Sequence, residues 1–162
     1  YFMNTIKDDT GQDKTPIVLV VDDNQQNLEL LQVYLEDVDC QSIPACDGPE
    51  ALDIIAKEPP DLILLDVMMP KMSGFEVCRR IKNDPKTSDI PVIMVTALSE
   101  FGDIERAIDS GTDDFLSKPV NKLELLTRIK TMLKLKHLSD KLERTLAYLS
   151  EIEKQAQMTK SD

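Results

Sequence analysis

The run Ile17-Val18-Leu19-Val20-Val21 is followed directly by Asp22-Asp23-Asn24, and the same arrangement returns at Leu62-Ile63-Leu64-Leu65, which Asp66 follows. Both runs are short, wholly apolar and rich in branched residues, so each predicts a β-strand that is buried on both faces. Strands of this kind belong to parallel sheets, because helices cover both sides of such sheets. The two runs therefore indicate an α/β fold with acidic residues at the carboxyl ends of its strands.

Strands and helices alternate along the rest of the chain. The predicted strands are Ile17–Val21, Cys40–Ala45, Leu62–Leu65, Pro91–Val95 and Phe115–Ser117. The predicted helices are Asn24–Val38, Gly48–Lys57, Phe75–Asn83, Ser99–Ser110 and a last one that begins near Asn121 and meets no breaker before the chain ends. Pro44 interrupts the second strand and places it at an edge of the sheet, because proline cannot donate a ladder hydrogen bond.

Five such β–α units predict a doubly wound, five-stranded parallel sheet with helices on both sides. We expect this domain to cover residues 16–134. Residues 1–15 are polar and charged without periodicity, which predicts a disordered lead-in. Residues 135–162 are expected to form an extended helix. Ligands of doubly wound sheets bind at the carboxyl ends of the strands, so the functional site is expected there.

Composition and charge limit the classes of function. The net charge is −11, and an acidic surface is repelled by phosphate backbones, so we expect no direct binding of nucleic acid. The apolar runs are far too short to cross a bilayer, and the polar opening residues are unlike a signal peptide, so no membrane association is expected. Cys40, Cys46 and Cys78 lack CxxC spacing, which favours reduced, packing cysteines and a cytoplasmic location.

Polar residues follow the apolar runs where the strands are expected to end. Asp22 and Asp23 follow the first strand, Asp66 the third, Thr96 the fourth and Lys118 the fifth. The three carboxylates would repel one another, and a hard divalent cation with oxygen ligands, Mg²⁺, would relieve that repulsion. A cation, a lysine and a hydroxyl form a cradle for a phosphoryl group, and a carboxylate among them can act as a nucleophile.

The motifs that carry these residues resemble the response regulator receiver family of two-component signalling. They are Val20-Val21-Asp22-Asp23-Asn24, Asp66-Val67-Met68-Met69-Pro70 with Gly74, Thr96-Ala97, and Asp114-Phe115-Leu116-Ser117-Lys118-Pro119. Each motif alone is weak, but all four in this order are specific. The resemblance covers residues 17–133 and implies a flavodoxin-like sheet with strand order 2-1-3-4-5.

The resemblance also implies a role for each matched position. Asp66 would accept a phosphoryl group from the phosphohistidine of a histidine kinase or phosphotransfer protein. The Mg²⁺ ligands would be Asp22, Asp23, Asp66 and the backbone carbonyl of Met68. Lys118 would pair with the phosphoryl oxygens, Thr96 would hydrogen-bond them, and Phe115 would rotate inward on activation. The Lys118–Pro119 peptide would be cis, and the domain would catalyse only its own phosphorylation and dephosphorylation.

Other interpretations of these residues stay open. The aspartates could be solvated acids or helix caps, Thr96 a plain strand end, and Phe115 a core residue; His137 is expected at the surface. A phosphohydrolase of the haloacid-dehalogenase type also uses a strand-end aspartate, but it needs an acid/base aspartate two residues later, where this chain has Met68. A phosphorylation-independent interaction domain would not need the complete set of site residues.

The last helix changes its apolar period after Leu133. Up to that residue the spacing predicts a helix packed on the sheet; beyond it, spacings of three and four predict a coiled-coil seam. The seam consists of Leu135, Leu138, Leu142, Thr145, Leu149, Ile152 and Ala156. We therefore expect a parallel homodimeric coiled coil that relays the signal to an output partner or domain. The alternative is an amphipathic helix folded back on its own domain.

Overall fold

The computed structural model describes residues 6–7, 13–97 and 101–161. The strands are β1 Ile17–Val21, β2 Gln41–Ala45, β3 Leu62–Leu65, β4 Val92–Thr96 and β5 Asp114–Ser117. The helices are α1 Gln25–Leu35, α2 Gly48–Lys57, α3 Gly74–Asn83, α4 Phe101–Asp109 and α5 Lys122–Lys160. The five strands form one parallel sheet in the order β2-β1-β3-β4-β5. The predicted fold class and strand order are confirmed.

The core lies on both faces of this sheet. Side chains of α1 and α5 cover one face, and side chains of α2, α3 and α4 cover the other. The strands β1, β3 and β4 are buried at every position, which explains why their sequences are continuously apolar rather than alternating. The strand β2, which contains Pro44, lies at an edge of the sheet as predicted.

Two local features differ from the sequence analysis. Ile6–Lys7 pairs with Asp13–Lys14 as a short antiparallel ribbon, which the sequence analysis did not predict, and the disordered lead-in over residues 1–15 stays a prediction. The helix α1 ends at Leu35 and does not reach Val38. The Val38 N–H donates to the Leu35 carbonyl at 3.0 Å in a tight turn, and this turn still buries the Val38 side chain.

Short polar side chains cap the helices that follow the strands. Asn24 caps α1 by accepting hydrogen bonds from the Gln26 and Asn27 N–H groups. Asp47, Ser73 and Asn121 cap α2, α3 and α5 in the same way. Because Asn24 takes this role, the neighbouring aspartates are not needed as caps. Ser99, where the fourth helix is predicted to begin, lies outside the described residues.

The helix α5 has 39 residues and extends roughly 58 Å at about 1.5 Å per residue. Its buried residues end at Leu133, and residues 141–161 are all exposed, so the helix projects beyond the domain and does not fold back on it. At the root of the projection Lys136 and His137 are half-buried, which corrects the surface position expected for His137. Among the described helices, none is long and apolar enough to cross a membrane.

Gly74 at the start of α3 packs directly on the backbone that carries Asp66. A β-carbon at this position would lie 2.2 Å from the Asp66 carbonyl oxygen and 2.8 Å from the Val67 Cα. The Gly74 N–H also donates to the Val67 carbonyl at 2.9 Å. The loop after β3 can return this closely over its own strand because position 74 has no side chain.

We predict that Gly74→Ala lowers the free energy of unfolding by about 2–3 kcal/mol, because backbone atoms must move to admit the methyl group. Gly111→Ala is the comparison: Gly111 has a φ of +88° and a β-carbon there would meet the Lys82 side chain, so its cost is about 1 kcal/mol of backbone strain. Urea unfolding measures both values. Equal losses for the two variants would contradict the close packing at Gly74.

Candidate functional site

The register of the sheet brings two aspartates together. Val21 pairs with Leu65, so Asp22 and Asp66 are the next residues on adjacent strands. Their backbones are fixed because the Asp22 N–H donates to the Ala45 carbonyl at 3.1 Å and the Asp66 N–H donates to the Val21 carbonyl at 2.9 Å. Asp22 is 1% exposed and Asp66 is 6% exposed. Two carboxylates therefore lie side by side in a largely desolvated place.

Lys118 reaches this pair from the end of β5. Its backbone N–H donates to the Thr96 carbonyl at 2.8 Å, which continues the ladder between β4 and β5. The Lys118 Nζ lies 3.0 Å from the Asp22 Oδ2 and 3.5 Å from the Asp66 Oδ1. The Lys118–Pro119 peptide is cis, as the resemblance implied. The predicted lysine therefore contacts both buried carboxylates.

One ammonium group does not neutralise this site. Burial, followed by repulsion from Asp22, raises the pKa of Asp66 to about 6. Lys118 and the backbone N–H groups of Val67 and Met68 lower the pKa of Asp66, but by less than burial and Asp22 raise it. In the metal-free site Asp66 is therefore about half protonated near pH 6 and mostly ionised at pH 7, and added positive charge would favour its ionised form further.

Asp23 lies beside the buried pair and is exposed. Carboxylate oxygens of Asp22, Asp23 and Asp66 all lie within 4.8 Å of one another. Three hard oxygen donors with unrelieved mutual repulsion fit a divalent cation such as Mg²⁺, which prefers oxygen ligands and retains waters. Met68 follows Asp66 by two residues with its side chain 73% exposed. Ligation by its backbone carbonyl stays a prediction.

Thr96 ends β4 with its side chain inside the protein. The residue is 1% exposed, and its Oγ1 has no hydrogen-bond partner among the described residues. Most buried hydroxyls are paired, so a buried unpaired one next to a charged site is available for a ligand oxygen. The interpretation of Thr96 as a plain strand end does not account for this unpaired group.

Phe115 lies on β5 and pairs with Met94 on β4. It is half-buried and packs against the core cluster under α2, α3 and α4. Core packing of Phe115 is therefore confirmed, while its inward rotation on activation stays a prediction.

The structure adds contacts that the sequence analysis did not identify. Lys71, in the loop after β3, forms an ion pair with Asp47 at the start of α2, with 3.0 Å between Nζ and Oδ2. The sequence analysis predicts a helix that begins at Gly48 but gives no signal for this ion pair. Cys46 is exposed, so the expectation that it packs is wrong, whereas Cys78 is buried as expected.

Comparison with known proteins places residues 18–130 in the family described as the response regulator receiver domain. The response regulator PleD of Caulobacter vibrioides is 45% identical over 125 residues, which are 77% of this chain and 28% of PleD. The DNA-binding dual master transcriptional regulator RpaA of Synechocystis is 40% identical over 119 residues, which are 74% of this chain and 49% of RpaA. The chain therefore spans half or less of these curated relatives.

The similar solved structures are also receiver domains. The receiver domain of a signal transduction histidine kinase from Syntrophus aciditrophicus is 36% identical with a TM-score of 0.71, covering 74% of this chain and 91% of that one. A CheY-like response regulator receiver domain protein from Methanospirillum hungatei is 27% identical with a TM-score of 0.73, covering 78% of this chain and 99% of that one. The family match ends at residue 130 and therefore leaves most of α5 outside it.

The raised pKa of Asp66 predicts a pH-dependent stability. Its unfolded pKa is about 3.9, so the folded, metal-free protein loses stability as the pH rises from about 4 through about 6. Asp66→Asn removes this loss, and at pH 7.5 the variant should exceed the wild type by ~1–3 kcal/mol in free energy of unfolding. At pH 4 the difference should nearly vanish. Urea unfolding at both pH values gives the comparison.

Asp53→Asn on the exposed side of α2 is the control for Asp66→Asn. This exposed carboxylate should change the stability by less than ~0.5 kcal/mol at either pH. The electrostatic account of the site is wrong if Asp66→Asn is no more stable than the wild type at pH 7.5, or if Asp53→Asn gives the same gain.

Proposed function

Because this chain belongs to the response regulator receiver family, we propose that it is a signalling switch that accepts a phosphoryl group on Asp66 in a Mg²⁺-dependent reaction. Receiver domains of this family act as regulatory phosphoacceptors. The observation that carries the proposal is the contact of Lys118 with both Asp22 and Asp66 at buried strand ends. This arrangement supports phosphoryl transfer to a carboxylate, because nucleophile and charge stabiliser are held in place before the donor arrives.

In the proposed reaction an Asp66 carboxylate oxygen attacks the phosphorus of the donor. A new O–P bond forms, and the bond from phosphorus to the leaving group breaks: P–N for a phosphohistidine, P–O for acetyl phosphate. The electron pair of the broken bond stays with the histidine or acetate. Lys118 then pairs with phosphoryl oxygens, and the unpaired Thr96 hydroxyl donates to one of them.

The aspartate cluster supports the Mg²⁺ requirement. Asp22, Asp23 and Asp66 would hold the ion, with the Met68 carbonyl as a further ligand. When bound, the ion neutralises the carboxylates and the charge on the phosphoryl oxygens. Ionised Asp66 is the nucleophile, so whatever lowers its raised pKa increases the reactive fraction at neutral pH. The acyl phosphate would later be hydrolysed at the same site.

A groove beside the site supports docking of a histidine kinase or phosphotransfer protein. It has a volume of about 200 Å³ and lies between α1 and the segment after β5. Its lining residues are Asn27, Leu30, Leu31, Tyr34, Lys118, Pro119 and Val120. Leu30 is 47% exposed there, and Lys118 connects the groove to Asp66, so a partner seated on this mostly apolar surface could present its phosphohistidine to the site.

Two further proposals concern the cellular location of the protein and the route of its output. All three cysteines are unpaired, which suits a reducing compartment and supports a cytoplasmic location. The net charge of −11 disfavours direct contact of this segment with nucleic acid, so we propose that its output passes through a partner or an attached domain.

Phosphorylation has a direct test. With acetyl phosphate and Mg²⁺, the wild type should gain one acid-labile phosphate, measured by intact mass, and Asp66→Asn should gain none because its amide is not a nucleophile. Asp53→Asn should be phosphorylated normally, and EDTA should abolish the reaction. Normal uptake by Asp66→Asn, or unchanged uptake in EDTA, contradicts the assignment.

We also propose that α5 pairs with α5 of a second copy and relays the signal. The seam leucines Leu135, Leu138 and Leu142 are 56%, 51% and 59% exposed, and the seam continues to Leu149 and Ile152. At about 100° per residue, Leu135 lies about 200° around the helix from Leu133, the last residue buried against the sheet. The seam therefore points away from its own domain, where a second helix meets no obstruction.

Charges beside the seam are compatible with a parallel arrangement of two copies, because that arrangement creates no like-charge repulsion. In parallel register, the flanking position of Lys141 faces that of Leu146, and Tyr148 faces Glu153, so none of these pairs places like charges together. Phosphorylation would change the packing of the two receiver domains, and the paired helices would carry that change away from Asp66. Thr145 is the polar interruption in the seam.

We predict that the full chain forms dimers in sedimentation equilibrium under reducing conditions. Leu142→Glu should raise the dimer Kd roughly 100-fold, because two buried leucine contacts are lost. Ala147→Glu, on the opposite side of the helix, should leave the Kd nearly unchanged. Truncation after Leu135 should also weaken the dimer. A chain that stays monomeric at high micromolar concentration even when phosphorylated contradicts the coiled coil.

A further inference from the structure

The loop that follows Asp66 is held by contacts outside itself. Apart from the Gly74 N–H, which donates to the Val67 carbonyl where the loop meets α3, its backbone bonds are short-range: the Met69 N–H donates to the Val67 carbonyl at 3.2 Å, and the Met72 N–H donates to the Pro70 carbonyl at 2.7 Å. The Met68 side chain is 73% exposed, so side-chain packing does not fix the backbone at that residue. The carbonyl proposed as an ion ligand thus depends on neighbouring elements for its position.

The start of α2 makes one of these outside contacts through Asp47. One carboxylate oxygen of Asp47 accepts the Glu50 N–H at 2.8 Å and so caps the helix. The other oxygen accepts a hydrogen bond from the Lys71 Nζ at 3.0 Å. The Asp47 side chain is 15% exposed, whereas that of Lys71 is 68% exposed. The helix cap therefore fixes Asp47, and Asp47 in turn anchors the ammonium end of the exposed Lys71 side chain.

Close packing at Gly48 places α2 against the same loop. A β-carbon at Gly48 would lie 2.9 Å from the Met72 Cβ and 2.9 Å from the Val77 Cγ2. The turn before the helix is closed as well, because the Glu50 carboxylate accepts the Cys46 N–H at 3.0 Å. The start of α2 is thus fixed in position and packs closely against the loop.

Lys71 has a φ of +67°, a left-handed conformation that is unfavourable for a residue with a β-carbon. Glycine would adopt it more easily, yet this position carries a lysine whose ammonium reaches Asp47. The turn at Lys71 directs the chain back so that Gly74 lies over Asp66 and Val67. The ion pair therefore acts at the point where the loop reverses toward the site.

We propose that Asp47 and Lys71 are positioning residues whose ion pair holds the loop between β3 and α3 in the geometry that binds Mg²⁺. Neither residue touches the ion; both act through the backbone between Asp66 and Gly74. The inference rests on the proposed function, because it assumes that Asp22, Asp23 and Asp66 bind Mg²⁺.

The two residues carry opposite charges, and this separates positioning from a through-space field. By field alone, removing the negative charge of Asp47 weakens Mg²⁺ binding, whereas removing the positive charge of Lys71 strengthens it. Positioning predicts that both substitutions weaken binding, because each breaks the same ion pair. The sign of the Lys71 effect is therefore the decisive observation.

The experiment is calorimetric titration of the full-length chain with MgCl₂. Asp47→Asn keeps an oxygen to cap α2, Lys71→Met keeps the length of the side chain, and Lys71→Arg keeps the charge. We expect each of the first two to raise the Mg²⁺ Kd roughly two- to fivefold, the effect of a partly exposed ion pair, and the double variant to add little more. Lys71→Arg should restore the wild-type Kd.

Arg80→Met is the matched control, because it breaks an exposed ion pair of 3.0 Å to Glu76 on α3 and should leave the Mg²⁺ Kd unchanged. Opposite shifts for Asp47→Asn and Lys71→Met overturn the proposal, and so does an unchanged Kd in both. A loss of thermal stability in the metal-free variants with unchanged Mg²⁺ binding shows a merely structural ion pair and also overturns it. A wild type that binds no Mg²⁺ instead refutes the proposed function.

Discussion

Repulsion between Asp22 and Asp66, buried side by side at the ends of β1 and β3, is the constraint on which the rest of the site depends. With Asp23, the site holds three carboxylates but only one nearby ammonium group, that of Lys118. Its Nζ lies 3.0 Å from Asp22 and 3.5 Å from Asp66. Burial and this repulsion raise the pKa of Asp66 to about 6, so the site stores an unfavourable interaction that positive charge relieves. The same imbalance favours a divalent cation and makes the site responsive to a ligand.

The fold can maintain this repulsion because it fixes the backbone on which the aspartates stand. Ladder hydrogen bonds hold Asp22 and Asp66 in register, and helices bury the strands on both faces. Gly74 packs on the Asp66 backbone and so holds the loop after β3 close to its strand. Asp47 at the start of α2 forms an ion pair with Lys71 in the same loop. Burial of apolar side chains in the sheet core thus offsets the repulsion between the carboxylates at the strand ends. Such a local destabilisation is common at functional sites.

The helix α5 has a buried face in its first part and exposed apolar residues on a different face in its second part. The first part of α5 completes the core with Leu125, Leu126, Ile129 and Leu133, and the remainder projects with exposed leucines on a different side. The helix is continuous from Lys122 to Lys160, so a displacement at its domain-facing end, as proposed above, would be transmitted along its length rather than absorbed in a loop. Its root, where Lys136 lies 3.0 Å from Asp140 and 3.9 Å from Asp89, is held by charges as well as packing.

The amino-acid sequence alone predicts the strands, four of the helix starts and the identity of the acidic, hydroxyl and lysine residues at the strand ends. These features follow from local rules: a continuous apolar run predicts a strand that is buried on both faces, and a short polar side chain caps the helix that follows it in the chain. Which of these side chains come into contact depends on how the chain packs. Lys118 contacts Asp22 across 96 residues of chain, and Lys71 contacts Asp47 across 24. No periodicity encodes such pairs, because their distance is set by how strands and loops pack in three dimensions. The close fit of Gly74 on Asp66 is hidden for the same reason: its cause is a neighbouring backbone, which the sequence pattern does not specify.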